Sequence, residues 1–270
     1  MSVLVINNSS TNATGFAVEM TVDGQTYTSS TYSSSLQENF FARMYINNIN
    51  ITNTGDYDVQ VRIINNTGDQ VASNDEVTYS FSAYTDLVTR NDLVEIITGN
   101  WCGFCPYKDG AKQDVKQINN NTIFVEYHQG DPLSIADGNA YISDFSSGGT
   151  PSSTLNREFF PGDVDANSMH PVRLDLAMQA GYTDVGAPVG VDVSATRVGD
   201  TLTTEVTLDA VSDIPGETRL VAMLVENGIP ATGNLAQRNY DNGDPKSPMF
   251  GLGDPINNYT HDTTFRDYLH

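Results

Sequence analysis

The sequence predicts an α/β domain flanked by two all-β segments. Three observations support this fold class. In residues 1–88, apolar and polar side chains alternate with a period of two, and turn signals separate the runs. In residues 89–185, compact apolar runs alternate with stretches of helical period. From 186 to 270 the period of two returns. Strands that alternate with helices are typical of α/β layers, whereas successive short alternating strands are typical of antiparallel sandwiches.

The first segment, 1–88, is predicted to be a small immunoglobulin-like β-sandwich. Residues 16–22 alternate between apolar and polar, and the Asp-Gly pair at 23–24 supplies a hairpin turn. Residues 57–63 and 77–83 repeat the alternation after further turn signals. Several half-buried strands at short spacing favour two packed antiparallel sheets.

The middle segment, 89–185, begins with the apolar run Leu93–Ile97, which predicts a buried strand. A helical period follows at Tyr107, Ala111, Val115 and Ile118. The pattern then predicts, in order, a strand at 122–128, a helix at 137–146, a strand at 153–157 and a helix at about 171–181.

The third segment, 186–270, is predicted to be a β-rich C-terminal domain. Residues 189–195 and 202–208 alternate around a Gly-Asp turn at 199–200. Residues 220–225 are apolar throughout and predict a central strand. Residues 228–260 are rich in Asn, Asp, Gly and Pro and predict a long loop.

The charge balance limits the classes of partner. The formal net charge is −21 over 270 residues, so a nucleic acid would meet repulsion, and an anionic membrane surface is disfavoured for the same reason. No apolar run approaches the ~20 residues that a membrane helix needs. We expect a protein without nucleic-acid binding and without direct membrane insertion. The oligomeric state stays open.

The N-terminus, MSVLVINNSS, has no basic region and only a short apolar run, so it is not a signal peptide. Either the protein is cytosolic or the sequence begins after a removed signal. Abundant Ser, Thr, Asn and Asp and scarce Lys favour the second alternative. We therefore expect an extracytoplasmic protein.

The stretch TGNWCGFCP, residues 98–106, holds the only two cysteines, Cys102 and Cys105. At the junction of a strand and a helix, the first cysteine would lie at a helix N-terminus, where backbone N–H groups favour a thiolate. The second lies one turn later, close enough to close a disulfide or to resolve a mixed one. Trp101 would shield the apolar side. Cys102 is the predicted attacking thiol and Cys105 the resolving one, with a redox-active disulfide and no other cofactor.

The order of strand, WCGFCP, amphipathic helix, strand, short helix and GGTP resembles the thioredoxin-like superfamily. VEIITGNWCGFCP, EYHQGDP, GGTPSSTLNR and RLVAMLVENG with NYTHDTTFR more specifically resemble the Omp28-related outer membrane protein family, over roughly residues 90–266. This resemblance implies that Pro151 is cis and faces the sulfurs, with Thr150 beside it. It also implies a periplasmic, outer-membrane-surface or secreted protein of Bacteroidetes-type bacteria.

The chain departs from the thioredoxin pattern at one position. Thioredoxins carry a buried acid six residues before the first cysteine, and Ile96 stands there. The adjacent Glu95 would point to the opposite face of its strand. Fast reductase chemistry is therefore in doubt, whereas oxidant, isomerase-like or specialised exchange stays open.

Each chemical interpretation has a structural alternative. The cysteines could form a permanent disulfide. They are not expected to bind zinc, because the sequence offers no second pair of ligands at a suitable spacing. Pro151 could be an ordinary turn proline. His128 could stabilise a thiolate or merely bond loop backbone, and Glu126 could accept the Cys105 proton. The lysines at 108, 112 and 116 could form a docking face or, as we expect, a solvated helix face.

The oxygen-bearing side chains of Asp163, Asp165 and Asn167 alternate along the chain and make a weak candidate for a calcium loop. The candidate is weak because the loop lacks the glycine and the final acid of a calcium-binding hand.

The cysteine motif and the resemblance together predict extracytoplasmic thiol–disulfide exchange with protein thiols or disulfides, in which Pro151 and Thr150 hold the client chain. The alternative is a cell-surface binding or adhesion module with a non-catalytic disulfide. Solvent access to the Cys102 sulfur discriminates the two.

Overall fold

The computed structural model describes residues 1–66, 71–145, 149–157, 169–174, 178, 186–214 and 217–269. The strands of this described part are β1 (Ser2–Ile6), β2 (Ala17–Val22), β3 (Gln25–Thr28), β4 (Phe41–Tyr45), β5 (Gly55–Ile64), β6 (Glu76–Ala83), β7 (Leu93–Thr98), β8 (Ile123–His128), β9 (Ser152–Leu155), β10 (Val189–Val198), β11 (Thr201–Ala210), β12 (Ala222–Glu226), β13 (Ile229–Pro230), β14 (Thr260–His261) and β15 (Thr264–Leu269). The α-helices with described bounds are α1 (Tyr107–Ile118) and α2 (Ala136–Phe145). Short 3₁₀ turns lie at Ala72–Asn74, Pro171–Arg173 and Gly233–Leu235.

The chain forms two compact units. One comprises Met1–Thr89 with Gly186–Thr218, and the other comprises Arg90–Val185 with Arg219–His270.

The first unit holds an antiparallel four-stranded sheet of order β3-β2-β5-β6 and a two-stranded sheet, β1-β4. Side chains from both sheets share one apolar core, which includes Met20, Met44 and Val59. The period-two pattern causes this arrangement, because alternate residues of each strand point to one face. The predicted hairpin at 23–24 is confirmed, with positive φ at both Asp23 and Gly24.

The hairpin β10-β11 also belongs to the first unit. Val189 pairs with Ala210 and Val198 with Thr201, so the predicted strands and the turn between them are confirmed. Most of its side chains are exposed. An antiparallel bridge between Val88 and Ala187 joins its start to the N-terminal part of the unit.

The second unit is built on a mixed five-stranded sheet of order β12-β15-β8-β7-β9. Strand β8 runs parallel to β7 and β15, whereas β9 is antiparallel to β7 and β12 is antiparallel to β15. Apolar clusters lie on both faces: Ile96 belongs to the cluster that includes Val115 of α1, and Ile97 to the cluster that includes Tyr141 of α2. Strands covered on both faces read as continuous apolar runs, as 93–97 does.

The prediction of an α/β thioredoxin-like domain is wrong. The described chain is mostly β, with two α-helices of 12 and 10 residues, and no α/β thioredoxin-like core is indicated in the described part. The sheet next to the cysteines takes β12 and β15 from the segment that was predicted to be a separate β-rich domain. A strand pattern predicts that a strand forms, but it does not say which sheet the strand joins.

One element prediction needs correction, and another lies partly outside the described residues. Residues 220–225 were predicted to form a central strand, but β12 lies at the sheet edge, and Leu220 and Val221 are each 56% exposed. The helix predicted at about 171–181 begins as a short 3₁₀ turn at Pro171–Arg173. Its remaining positions at 175–177 and 179–181 lie outside the described residues.

Candidate functional site

A disulfide joins Cys102 to Cys105, directly after β7 and before α1. The predicted pairing is therefore present, with two residues between the cysteines. Helix α1 begins at Tyr107, with Pro106 as its N-cap residue, so the cysteines lie in the turn that precedes the helix. Backbone N–H groups of Cys102 and Cys105 bond the carbonyls of Gly99 and Cys102 at 3.0 and 3.2 Å. The disulfide thus lies in a tightly hydrogen-bonded turn.

The Cys102 sulfur faces the segment that leads into β9. It lies 3.5 Å from the carbonyl oxygen of Thr150, and the Thr150–Pro151 peptide bond is cis, as the resemblance implied. The Thr150 hydroxyl donates to the Gln129 side chain at 2.9 Å. The structure therefore brings Cys102, Thr150 and Pro151 together at one end of the five-stranded sheet.

Exposed aromatic side chains border the disulfide, although the cysteines themselves are buried. Cys102 is 3% exposed and Cys105 is fully buried, whereas Trp101, Phe104 and Tyr240 are 45, 48 and 56% exposed. The Trp101 indole donates to the Gln129 carbonyl at 2.6 Å, which orients its ring. The rings of Phe104 and Tyr240 meet edge to face. Large exposed apolar side chains that touch one another mark a contact surface more often than scattered ones do.

A buried ion-pair network lies on helix α1 and strand β8. The Lys108 ammonium lies 3.2 Å from Glu126, and Lys112 lies 2.5 Å from the same carboxylate. Glu126 and Lys108 are buried, and the Lys112 side chain is 15% exposed. The expectation of a solvated lysine face is therefore wrong for Lys108, because the single acid on β8 draws it inward. The role of Glu126 as proton acceptor for Cys105 stays a prediction.

Tyr259 and Asp109 extend this network. The Tyr259 hydroxyl contacts the Lys108 ammonium at 2.8 Å and donates to the Asp109 carboxylate at 2.7 Å. Burial acts to lower the pKa of Lys108, but the charge of Glu126, with help from Tyr259 and Asp109, outweighs burial and places that pKa well above its usual range. Burial raises the pKa of Tyr259. The network therefore favours the charged form of Lys108.

Two buried histidines lie beside the network. His128 bonds the carboxylate of Asp131 through Nδ1 at 2.6 Å, and that carboxylate also accepts the Asn100 backbone N–H at 2.9 Å. Burial acts to raise the pKa of Asp131, but the hydrogen bond from His128 outweighs it, and the pKa is lowered. The ring of His128 meets that of His261 edge to face. His128 therefore bonds a loop side chain instead of the loop backbone that its structural alternative assumed, and its thiolate role stays a prediction.

His261 is fully buried, and its Nε2 lies 2.8 Å from the carbonyl oxygen of Leu235. That carbonyl can only accept, so Nε2 carries the proton. The Nδ1 atom has no hydrogen-bond partner among the described residues. Burial lowers the pKa of His261, since a charged ring would hold a second N–H without an acceptor.

A second buried acid lies on the other face of β7. Glu95 is fully buried and accepts two hydrogen bonds from the Arg157 guanidinium, at 2.6 and 2.7 Å. The Tyr127 hydroxyl donates to it at 2.9 Å. Since Glu95 and Ile96 are neighbours on a strand, this ion pair lies on the face opposite that of Ile96.

The polar shell of the disulfide includes Gln237 and Tyr240, which the sequence did not single out because they lie in the loop predicted at 228–260. Gln237 is fully buried and donates to the Cys102 carbonyl at 2.8 Å. Uncharged loop residues give no periodic signal, so the one available hint was the aromatic Tyr240 in a polar stretch.

The weak calcium candidates Asp163, Asp165 and Asn167 lie outside the described residues. Within the described ranges, no group of three or more His, Cys, Asp or Glu side chains is arranged to hold a metal ion. None of the described helices combines the length and the apolar character that a membrane crossing requires.

Comparisons with known proteins give one distant structural neighbour. No protein-family model matches the chain, and no curated protein matches it. HBP35 of Porphyromonas gingivalis aligns with a TM-score of 0.49 and 19% sequence identity, over 67% of this chain. The alignment spans 57% of the length of that chain. At this level of likeness, neither a fold nor a function follows from the neighbour.

Proposed function

We propose that the protein carries out thiol–disulfide exchange with protein clients through Cys102 and Cys105. The observation that carries the proposal is the disulfide closed across two residues, with the Cys102 sulfur beside Thr150 and exposed aromatic rings around it. A loop this short gains little stability from chain entropy, so a purely structural disulfide has little reason to occur here.

The exchange step is proposed at Cys102, because its sulfur lies beside the Thr150 carbonyl oxygen and Cys105 is fully buried. A client thiolate attacks Cys102, which is the less buried cysteine. The Cys102–Cys105 bond breaks, a client–Cys102 disulfide forms, and the Cys105 thiolate takes up a proton. A second client thiolate then attacks the client sulfur, which forms the client disulfide and releases Cys102 as a thiolate. The client loses two electrons and the protein gains them, and the reverse sequence reduces a client disulfide.

The residues next to the disulfide orient the client chain. In this proposal the backbone at Thr150 and Pro151, just before β9, holds the client chain in an extended form, since the outer edge of β9 is already paired with Met169 at Ser153. Trp101 excludes water from one side of the sulfurs, and its ring contacts apolar client side chains. The partners are therefore protein thiols and disulfides.

We also propose an extracytoplasmic location and a relationship to the Omp28-related family. A formed disulfide is typical of oxidising compartments, which supports the location. The family proposal rests on the sequence stretches around the cysteines and on the late strands. In this setting the first unit, whose sheets share an apolar core, serves as an immunoglobulin-like spacer.

Trapping of the mixed disulfide tests the exchange. Cys105→Ser is incubated with a peptide that carries a disulfide-linked nitrothiobenzoate leaving group, and the adduct is measured by mass spectrometry. We expect a lasting peptide–Cys102 adduct, because the resolving thiol is absent. Cys102→Ser is the matched control and leaves a single buried thiol, so its adduct should form at least about tenfold more slowly. Equal rates for the two variants would contradict the proposal.

A second candidate function rests on the burial of the sulfurs. Cys102 is only 3% exposed, and such coverage favours a surface binding module whose disulfide is inert. In that case the folded wild-type protein keeps its disulfide under excess glutathione, and neither single-cysteine variant forms an adduct until it is unfolded.

A further inference from the structure

The turn that carries the disulfide lacks one of its own hydrogen-bond donors. Backbone N–H groups bond carbonyls three residues earlier, from Cys105 to Cys102 at 3.2 Å, from Tyr107 to Phe104 at 3.3 Å and from Lys108 to Cys105 at 3.1 Å. In this series the Gly103 carbonyl should accept from residue 106. That residue is Pro106, which has no N–H. The Gly103 carbonyl therefore needs a donor from elsewhere.

The segment 237–240 supplies that donor and three others. The Tyr240 backbone N–H bonds the Gly103 carbonyl at 3.2 Å, and the Arg238 N–H bonds the Asn100 carbonyl at 2.8 Å. The Gln237 side-chain amide donates to the Cys102 carbonyl at 2.8 Å, and the Tyr240 hydroxyl donates to the Trp101 carbonyl at 3.3 Å. We call these four donor groups the carbonyl clamp, because they bond four consecutive carbonyls across the disulfide turn.

The clamp is closely fitted to the turn. A Cβ atom on Gly103 would lie 2.2 Å from the Tyr240 ring, so only glycine allows this approach. Arg238 forms two hydrogen bonds with Asp254, at 2.8 and 2.9 Å, and Asp254 also accepts the Asn239 N–H. These bonds fix the segment in place.

Gln237 is the member whose placement is hardest to explain by stability alone. It is fully buried, and its Oε1 atom has no hydrogen-bond partner among the described residues. An unsatisfied buried acceptor lowers stability, so the placement of the Oε1 atom does not explain why a glutamine lies here. Its amide group donates to the Cys102 carbonyl and, at 3.1 Å, to the Arg238 carbonyl, so it ties the segment to the turn that carries the disulfide.

The physical consequence concerns the reduced state. The oxygen end of each peptide carbonyl is negative, and the four carbonyls that the clamp bonds belong to residues 100–103, which include Cys102 and its two neighbours. Donors that bond these oxygens offset the negative potential and favour a thiolate at Cys102. A pair whose reduced form is stabilised is a stronger oxidant. We propose that the carbonyl clamp shifts the Cys102–Cys105 couple toward its reduced form and that Gln237 is a positioning residue for this pair.

This inference rests on the proposed exchange function and assigns its direction, since a more oxidising pair accepts electrons from client thiols. The test is the equilibrium with glutathione. Two glutathione thiols reduce the Cys102–Cys105 disulfide, giving two protein thiols and one glutathione disulfide, so atoms and electrons balance. The fraction of reduced protein is read by alkylation and mass spectrometry across glutathione ratios, without any client.

The diagnostic variant is Gln237→Met, which keeps the volume of the side chain and removes its donor. We expect the equilibrium constant for reduction to fall by about two- to tenfold, the range that one hydrogen bond supplies. Tyr240→Phe removes only the hydroxyl donor at an exposed position and should cause a smaller shift in the same direction, which keeps the proposal testable if Gln237→Met does not fold. Gln60→Met, in the first unit, is the matched control and should leave the constant unchanged.

The outcomes separate the two proposals. If Cys105→Ser forms the peptide adduct faster than Cys102→Ser but Gln237→Met and Tyr240→Phe both keep the wild-type constant to within about 1.5-fold, the clamp inference is overturned and the exchange function stands. If folded wild-type protein is not reduced at any glutathione ratio, both are overturned. A fall in the constant for Gln237→Met, together with an unchanged constant for Gln60→Met, supports the clamp.

Discussion

The two compact units are both built mainly from strands, yet they bury different chemistry. The first unit has an apolar core, and Asn7 and Ser29 are its buried polar residues among those described. The second unit buries ionisable side chains, including Glu95, Lys108 and Glu126. Burying charge is costly unless the charge is paired, and these side chains are paired. The comparison shows that the interior of the second unit depends on ion pairs as well as on apolar packing, and that one of the buried cations, Lys108, lies three residues after Cys105.

The difference between the two units is tested most strongly by removing one paired carboxylate from each of them. Glu126→Gln leaves Lys108 buried without its main counter-charge, and we expect a loss of about 3–5 kcal/mol in the free energy of unfolding. Glu19→Gln removes an exposed pair with Arg62, whose side chain is 54% exposed, and should cost less than about 1 kcal/mol. Urea unfolding of the oxidised proteins measures both. Similar losses of unfolding free energy for the two variants would contradict the claim that the buried ion-pair network of the second unit contributes more to stability than an exposed pair does.

Two glycines of the second unit allow a comparison between a tightly packed position and an open one. Gly103→Ala places a methyl group against the Tyr240 ring, so the clamp must move, at a cost of about 1–3 kcal/mol. Gly110→Ala, in the interior of α1, meets no atom within 4 Å and should stabilise the protein by about 0.5–1 kcal/mol. Thermal unfolding should therefore show shifts of opposite sign. A neutral Gly103→Ala would mean that segment 237–240 does not pack on the turn as described.

The pH dependence near neutrality should come from the second unit, because all four histidines lie there. The pKa of His261 is lowered in the folded protein, so below pH about 6.5 the unfolded chain takes up a proton that the folded protein does not. Stability should therefore fall as pH decreases through this value, by at most about 1.4 kcal/mol per pH unit from this group.

Urea titrations at pH 7.5 and 5.5 measure this dependence. His261→Gln keeps a donor for the Leu235 carbonyl and should flatten it. Gln60→Met, which removes no titratable group, is the control and should keep the wild-type dependence on pH. A His261→Gln variant that remains as pH-sensitive as the wild type would contradict the assignment.

The sequence predicted those features that depend on local pattern. The hairpins at 23–24 and 199–200, strands β7 and β8 and helix α1 follow from periodicity and turn residues. The contact of Cys102 with the Thr150–Pro151 segment was implied only by the family resemblance. The fold class was not predicted correctly, because β12 and β15 join the sheet beside the cysteines from more than 90 residues away. Long-range strand order depends on packing and leaves no local signal.

The same distinction applies to the site. The lysine stripe was visible in the sequence, but burial of Lys108 depends on Glu126 of β8, whose side chain it meets only in the folded sheet. Gln237 and Tyr240 lie in a polar loop without periodicity, so their contacts with the disulfide turn could not be predicted. The pairing of the two cysteines was predictable from their spacing, whereas the residues that surround them were not.

The most direct test of the central claim is the reduction potential of Cys102–Cys105 in the folded wild-type protein, measured by thiol trapping across glutathione ratios. We predict a value between about −120 and −270 mV, the range of pairs that exchange with protein clients. A pair that stays oxidised below about −300 mV, or that no thiol reduces while the protein is folded, would contradict the exchange function and identify the disulfide as inert.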